Sequence, residues 1–276
     1  THDYGAKMST SIAQTAVVDP KAKIGTNVRI GHFCVIGPDV SIGDNTRIED
    51  HVVISGISSL GEDNHLFPGC VIGGHPQDTS YQDSPTRVEI GHGNTLREYC
   101  TVNRGTEKDD GVTRIGENNY LMTGTHVAHD CKLGDRIVIA NNGMLGGHVH
   151  IANDVTIAGG VGVHHFASIG QLSFVSSMSR VLHDVPPYMI VDGQPSKPRA
   201  VNSIGLKRHD YPEADIAVLT KAYRLLYRSR VGVESARSEL MNCGPIRPVL
   251  KHLFDSIDHS SDGRHGRGRD RRRKAA

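Results

Sequence analysis

The sequence has no tryptophan and only five phenylalanines among its 276 residues, so large aromatic side chains cannot build its core. No stretch approaches the roughly 20 apolar residues that a membrane-spanning helix needs. No secretory signal pattern is present. The five cysteines are scattered without a C-x-x-C pair, which argues against a zinc finger and against a redox motif. We therefore expect a cytoplasmic protein with reduced thiols and no membrane span.

Aliphatic residues recur at every sixth position along most of the chain. This pattern extends from Ile12 to Ile72, from Ile90 to Val102 and from Ile115 to Val181. A period of six fits neither an amphipathic helix nor a simple alternating strand, and it is typical of hexapeptide repeats in parallel β-helices. We predict an all-β solenoid over residues 8–192, in preference to a β-sandwich with regular turns.

Three hexapeptides would close one triangular coil, so residues eighteen apart should stack about 4.8 Å from one another. Each buried aliphatic side chain contributes about 1.5 to 3 kcal/mol, which can stabilise a core with few aromatic residues. Two polar insertions, near residues 74–88 and 104–113, interrupt the period, and long excursions from a rigid scaffold are often functional. Repeated small residues on the exposed side favour a cyclic homo-oligomer.

The C-terminal part differs from the solenoid in period and in charge. Residues 199–276 hold 17 Lys and Arg against 9 Asp and Glu, whereas the preceding 198 residues hold 14 against 21. Apolar residues between 216 and 257 recur at helical spacing, and we predict a small α-helical domain over 193–258. Its basic charge favours an acidic partner or a phosphate-bearing substrate.

Two terminal segments are expected to lie outside these domains. Residues 1–7 precede Met8 and are interpreted as a tag or a disordered leader. Residues 259–276 are rich in arginine, and we interpret them as a basic, disordered, solubilising tail. A nucleic-acid-binding arm is the alternative for this tail, and we expect no nucleic-acid partner.

Two histidines and a carboxylate lie close together at His126, His129 and Asp130. The eighteen-residue stacking rule brings further residues to this column, namely Gly147, His148 and His165, with His164 beside them. A histidine column can bind metal, act as a general base or respond to pH. A zinc site remains an alternative, because imidazoles from adjacent chains could converge. The carboxylate that follows His129 instead resembles the orienting partner of a general base, so we favour catalysis.

Several motifs together resemble a known family. They are Pro85–Gly91, Arg104–Thr106, His126–Cys131, Ala140–Asn142, Gly147–Val149, Asp184–Tyr188 and Gly205–Arg208. In these motifs the chain from about Met8 to Arg208 is similar to the bacterial UDP-N-acetylglucosamine O-acyltransferases that begin lipid A synthesis. The resemblance implies a left-handed parallel β-helix and a homotrimer with active sites between subunits. It also implies transfer of a (3-hydroxy)acyl chain from acyl carrier protein to the 3-position of UDP-N-acetylglucosamine, without a metal or another cofactor.

The resemblance implies roles for individual residues. His129 would be the general base, Asp130 would orient it, and the backbone N–H of Gly147 would stabilise the oxyanion. Substrate-binding positions that match the family are Gln77, Asp78, His126, His148, His164, Asn202 and Arg208. The acyl-chain pocket would include Phe174, Ser177 and Met178, and Ser177 in place of a glycine slightly favours a shorter chain.

The sequence also departs from the family pattern. Ser80 stands where a lysine is usual, which removes a positive charge near the substrates, and His165 stands where a glutamine is usual; we retain both as substrate-binding candidates. Pro195, Ile204 and His209 are further departures.

Three alternatives therefore stay open. One is acyl transfer to a 3-amino sugar, since a general base can serve either nucleophile. Another is a diverged homologue that binds nucleotide sugar or carrier protein without turnover. The third is a zinc lyase or hydratase similar to the γ-class carbonic anhydrases.

Overall fold

The computed structural model describes residues 9–229, 231–242 and 246–270. The chain divides into two compact units, which span residues 1–148 and 149–276. The predicted leader, residues 1–7, and the last six residues of the predicted tail lie outside the described part of the chain.

The first unit consists of short strands that repeat along the chain. In chain order they are β1 (Ser11–Ile12), β2 (Val17–Val18), β3 (Lys23–Ile24), β4 (Arg29–Ile30), β5 (Val35–Ile36), β6 (Val40–Ile42), β7 (Arg47–Ile48), β8 (Val53–Ile54), β9 (Ile57–Leu60), β10 (His65–Leu66), β11 (Val71–Gly74), β12 (Arg87–Ile90), β13 (Thr95–Leu96), β14 (Thr101–Asn103), β15 (Val112–Ile115), β16 (Tyr120–Leu121), β17 (His126–Val127), β18 (Lys132–Leu133), β19 (Val138–Ile139) and β20 (Met144–Leu145).

Every third strand pairs in parallel, so the first unit has three sheets. The aliphatic residue of each six-residue repeat stacks on its counterpart one coil away, as Ile30 does on Ile48 and Ile48 on Leu66. These side chains are buried, with 3%, 2% and 0% of their surface exposed. The six-residue period therefore marks the inward-facing position of each strand, and the predicted parallel β-helix is confirmed.

A buried ladder of asparagines joins successive coils at one corner of the first unit. The backbone N–H of Asn94 donates to Oδ1 of Asn64 at 2.9 Å, and that of Asn119 donates to Oδ1 of Asn94 at 3.0 Å. Oδ1 of Asn119 in turn accepts from the backbone of Ile137 at 2.8 Å. The ladder satisfies amide groups that would otherwise be costly to bury.

The two insertions leave the coils in register. Ile72 pairs with Val102 across the first insertion, and Val102 pairs with Val127 across the second. Residues that stack across an insertion are thus thirty or twenty-five positions apart instead of eighteen. Simple stacking arithmetic from the sequence fails at these two points.

The second unit begins with further short strands and ends with helices. Its strands are β21 (His150–Ile151), β22 (Thr156–Ile157), β23 (Gly162–Val163), β24 (Ser168–Ile169), β25 (Phe174–Val175), β26 (Arg180–Val181), β27 (Met189–Gly193) and β28 (Ser196–Val201). Strands β21, β22 and β23 each pair in parallel with the strand three places later. Strand β25 pairs in parallel with β27, which pairs antiparallel with β28.

The helices are α1 (Ser203–Arg208), α2 (Glu213–Tyr223), a π-helical segment (Arg224–Arg228), α3 (Val233–Met241) and α4 (Pro248–Asp262). They start later than the predicted boundary at residue 193, because β28 occupies residues 196–201. Leu206, Leu219 and Phe254 belong to the buried cluster that holds them together. None of the helices that the structure describes combines the length and apolar composition needed to cross a bilayer.

The arginine-rich segment is more ordered than its composition suggests. Helix α4 continues to Asp262, beyond the predicted domain end at 258. Nη1 of Arg267 then donates to the carbonyl of Leu182 at 2.9 Å, and the backbone N–H of Gly268 donates to Asp184 at 2.8 Å. Arg267 is only 6% exposed. The structure therefore differs from the predicted disordered tail over residues 259–270, since this segment forms hydrogen bonds with residues 182–184.

Candidate active site

His129 and Asp130 lie at the corner that follows β17. Asp130 is fully buried and has a φ of +60°, a left-handed conformation that Asp tolerates better than most residues. Nδ1 of His129 lies 2.8 Å from Oδ2 of Asp130. When the Nδ1 proton is donated to this carboxylate, Nε2 is the basic nitrogen of the ring. The corner therefore presents an oriented imidazole.

Thr106 and Thr113 surround the Asp130 carboxylate and backbone. The backbone N–H of Thr106 donates to Oδ1 at 2.8 Å and its hydroxyl donates to Oδ2 at 2.6 Å. The backbone N–H of Asp130 donates to the hydroxyl oxygen of Thr113 at 2.8 Å. Burial alone would raise the pKa of Asp130, but hydrogen bonds from His129 and Thr106 outweigh it and lower the pKa. Asp130 is therefore ionised at neutral pH.

Gly147 and His148 lie one coil beyond the pair. A Cβ atom added to Gly147 would fall 2.5 Å from Cε1 of His129, so only glycine allows the backbone to approach the imidazole this closely. The backbone N–H of His148 donates to the carbonyl of His129 at 3.0 Å. Both contacts confirm the stacking predicted from the eighteen-residue period.

The imidazole of His148 is held between two carboxylates. Its Nε2 lies 3.6 Å from Oδ2 of Asp130, and its Nδ1 lies 3.6 Å from Oδ2 of Asp109. Its ring stands edge-on to that of His129, with centroids 5.2 Å apart. Burial lowers the pKa of His148, and the neighbouring His129 lowers it further, although both carboxylates oppose this.

His126 lies on β17, with Nδ1 2.7 Å from the hydroxyl of Thr101. Burial, followed by the nearby His129, lowers the pKa of His126. His126 and His148 therefore favour the neutral form and present polar nitrogens without positive charge.

The first insertion contains Gln77, which is exposed, and Asp78 and Ser80, which bond to each other. Lys108 of the second insertion donates to the other oxygen of Asp78. The hydrogen bond from Lys108, assisted by Ser80, holds the pKa of Asp78 well below its usual range. Lys108 therefore places a positive charge beside Asp78, and the effect of Ser80 on substrate binding stays a prediction.

Sequence reasoning missed three residues of the second insertion. Thr106 binds Asp130, Lys108 binds Asp78, and Asp109 faces His148. All three lie within the insertion between β14 and β15, where the eighteen-residue rule does not apply. The signal available for Thr106 was its place in the Arg104–Thr106 motif.

The other predicted site residues lie in the second unit. The ring centroids of His164 and His165 are 3.8 Å apart. Phe174 begins β25, while Ser177 and Met178 are exposed in the turn that follows. Asn202 and Arg208 flank α1: the Asn202 side chain accepts from Gly205 at 3.1 Å and donates to Leu172 at 2.8 Å, and Arg208 is exposed at the helix end.

Ligand-capable atoms of His129, Asp130 and His148 lie within 4.8 Å of one another. The two oxygens of Asp130 already accept three hydrogen bonds, two from Thr106 and one from His129. A cation held by all three side chains would have to displace one or more of these bonds. The donor arrangement thus suits proton transfer better than metal binding, and we assign no metal ligand here.

Two family models match the chain. The model described as "Bacterial transferase hexapeptide (six repeats)" matches residues 21–56 and 113–147. The model described as "Udp N-acetylglucosamine O-acyltransferase; Domain 2" matches residues 184–268. Fold, site and repeat model together define a transferase built from hexapeptide repeats.

Similar proteins narrow this class. The acyl-(acyl-carrier-protein)–UDP-N-acetylglucosamine O-acyltransferase of Alkalilimnicola ehrlichii is 47% identical over 254 residues, which cover 92% of this chain and 98% of the relative. That of Leptothrix cholodnii is 51% identical over 225 residues, covering 82% and 85%. The crystal structure of a UDP-N-acetylglucosamine acyltransferase from Bacteroides fragilis, 35% identical, superposes with a TM-score of 0.86 and covers 90% of this chain and 97% of that one. The chain therefore belongs to the acyl-(acyl-carrier-protein)–UDP-N-acetylglucosamine O-acyltransferase family, and its β-helix is left-handed.

Proposed function

We propose that this enzyme transfers an acyl chain from acyl carrier protein to the 3-hydroxyl of UDP-N-acetylglucosamine, the first step of lipid A biosynthesis. The observation that carries the proposal is the 2.8 Å contact of His129 Nδ1 with a buried, ionised Asp130. This contact leaves Nε2 as the base and stabilises the imidazolium that forms when it takes a proton.

The reaction follows from this geometry in two steps. Nε2 of His129 takes the proton of the sugar hydroxyl while the hydroxyl oxygen forms a bond to the thioester carbonyl carbon. The resulting oxyanion accepts a hydrogen bond from the backbone N–H of Gly147, a donor worth about 3 kcal/mol or more in such sites. The C–S bond then breaks, and His129 returns the proton to the leaving thiolate of the carrier arm.

Further residues are assigned to substrate binding. In the first unit we assign Gln77, Asp78, Ser80, His126 and His148 to the sugar and acyl groups. In the second unit we assign His164, His165, Asn202 and Arg208 to substrate, and the guanidinium of Arg208 suits a phosphate. Phe174, Ser177 and Met178 are assigned to the acyl chain. No metal or other cofactor takes part in this mechanism.

We also propose that the protein works as a cytoplasmic homotrimer. Val17 is 65% exposed, Val35 44% and Met144 53%, and all three point outward from the same sheet of the first unit. Burial of these apolar side chains against a second copy would remove them from water. The basic C-terminal part would bind the acidic acyl carrier protein.

The test is acyl transfer from a panel of 3-hydroxyacyl and plain acyl carrier proteins, C8 to C16, to UDP-N-acetylglucosamine and to its 3-amino analogue. Mass spectrometry of the products identifies the acyl length and the accepting atom together. We expect O-acylated UDP-N-acetylglucosamine. Product formed only with the amino sugar would show that the acceptor is a 3-amino sugar and not UDP-N-acetylglucosamine. No product from a folded protein would overturn the proposed function.

A further inference from the structure

Thr106, in the insertion between β14 and β15, contacts the catalytic pair through one shared atom. Its hydroxyl donates to Oδ2 of Asp130 at 2.6 Å, and His129 contacts the same oxygen at 2.8 Å. The backbone N–H of Thr106 occupies the other carboxylate oxygen at 2.8 Å. Thr106 has no exposed surface, so water does not compete for these bonds. Both oxygens of Asp130 are thus held by a single residue.

Thr106 is itself held by close backbone contacts. A Cβ atom on the preceding Gly105 would lie 2.3 Å from the backbone of Gly111 and Val112, so the two ends of the insertion cross here at a distance that only glycine permits. Gly105 also donates its N–H to the carbonyl of Arg87 at 3.3 Å. The position of the Thr106 donors is therefore set by main chain, not by a flexible loop.

An aspartate needs such help because rotation about its terminal torsion has no sharp preferred state. The hydrogen bond between Nδ1 and Oδ2 of Asp130 orients the His129 ring. Misplacement of a reacting group by about 1 Å can cost roughly 100-fold in rate. Two donors on a rigid support remove that freedom before the substrate binds.

We propose that Thr106 is a positioning residue for acyl transfer, which fixes the carboxylate of Asp130 and, through it, the ring of His129. The inference rests on the proposed function for its kinetic readout. It gives the second insertion a role in catalysis that loop composition does not reveal.

The test compares Thr106→Val, which removes the hydroxyl at nearly constant volume, with Thr106→Ser, which keeps it. We expect Thr106→Val to lower kcat by up to roughly 100-fold with little change in KM, because the reacting group is misplaced, and Thr106→Ser to recover most of the rate. The matched control is Thr46→Val, another fully buried threonine, whose hydroxyl donates to the carbonyl of Gly61 at 3.2 Å. It should lose stability without the same loss of kcat.

A second readout needs no substrate. The Nδ1 proton of His129 should give a downfield NMR resonance, identified by its loss in His129→Gln. Thr106→Val should shift or broaden this resonance, whereas Thr106→Ser and Thr46→Val should preserve it. If wild-type protein transfers no acyl group, the proposed function fails while the resonance still tests the role of Thr106.

Wild-type kcat and an unchanged resonance in Thr106→Val would overturn the inference, as would equal losses in the Ser and Val variants. If Thr106→Val does not fold, Thr106→Ala takes its place, since it also lacks the hydroxyl and keeps the backbone donor. The same pattern is then expected of it.

Discussion

The dipeptide His-Asp occurs four times in the sequence, and two of these, His129–Asp130 in the first unit and His183–Asp184 in the second, have different hydrogen-bond partners. Asp130 is completely buried and binds its own histidine. Asp184 is half-buried and accepts backbone N–H groups from Ser168 at 2.7 Å and from Gly268 at 2.8 Å. The ring of His183 contacts the carbonyl of His265 instead. The same two residues thus form the proposed catalytic pair in one place and a structural contact between chain segments in the other.

The pKa values of the two carboxyls move in opposite directions. Burial raises the pKa of Asp184, and its backbone donors do not offset this. At Asp130 the hydrogen bonds from His129 and Thr106 outweigh burial, and the pKa falls. The two sites indicate that the groups around a His-Asp dipeptide, and not the dipeptide itself, decide whether it is arranged to transfer a proton.

The largest expected effect separates the two histidines. His129→Ala should lower kcat by 100-fold or more, the loss expected of a general base, while His183→Ala should stay within about twofold of wild type. Initial rates at saturating substrate measure both, and size-exclusion chromatography checks that assembly is unchanged. Retention of more than about a tenth of the rate by His129→Ala would refute its role.

Gly147→Ala tests the close approach at the first pair. The new methyl group would meet the His129 ring at 2.5 Å, so the ring must turn. We expect kcat to fall roughly 10- to 100-fold with the fold intact. Gly232→Ala is the matched control, because a Cβ atom there meets nothing within 4 Å among the described residues. Equal rates in the two variants would contradict the close approach of Gly147 to the His129 ring.

Arg267→Ala tests the contact between the arginine-rich segment and the residues around His183–Asp184. Arg267 is 6% exposed and binds Leu182 and Asp270, so its loss should cost about 1 to 3 kcal/mol of stability, enough to lower Tm by several degrees. Differential scanning calorimetry measures the change. Arg264→Ala, whose side chain is exposed, should leave Tm unchanged. An unchanged Tm for Arg267→Ala would show that the segment contributes no stability.

The smallest effect is a difference in pH dependence. The lowered pKa of Asp130 means that its contribution to stability is present above its unfolded value near 3.8 and is lost as pH falls through the folded value. The raised pKa of Asp184 has the opposite sign: its contribution is complete below that unfolded value and is lost as pH rises through the folded one.

Urea unfolding between pH 3 and 6 therefore distinguishes the carboxyls. Asp130→Asn should make the loss of stability on acidification shallower than in wild type, and Asp184→Asn should make it steeper. Shifts of the same sign in both variants would show that the two environments do not differ as described.

The regular part of the structure was accessible from the sequence, because each coil repeats the same inward position. Stacking by eighteen correctly placed Gly147 against His129 and His148 beside Asp130, since no insertion lies between them. The positions of His164 and His165 relative to this pair stay a prediction.

The irregular parts were not accessible. The partners of Asp130 and Asp78 come from the second insertion, whose path depends on a close crossing at Gly105 that no period encodes. The segment around Arg267 was interpreted from its charge as disordered, but its hydrogen bonds to Leu182 and Asp184 order it. The arginine content of a segment indicates that burying it is costly, but it does not reveal hydrogen-bond partners elsewhere in the chain that offset this cost.

The asparagine ladder has a consequence for how such a chain can change. Asn64 binds Asn94 and Asn94 binds Asn119 directly, although a different insertion separates each pair. These hydrogen bonds depend only on the register of the coils, so the length of the insertion between two coils does not change this corner. We therefore expect these insertions to tolerate changes of length, while the coils that position His129 and Asp130 stay in register.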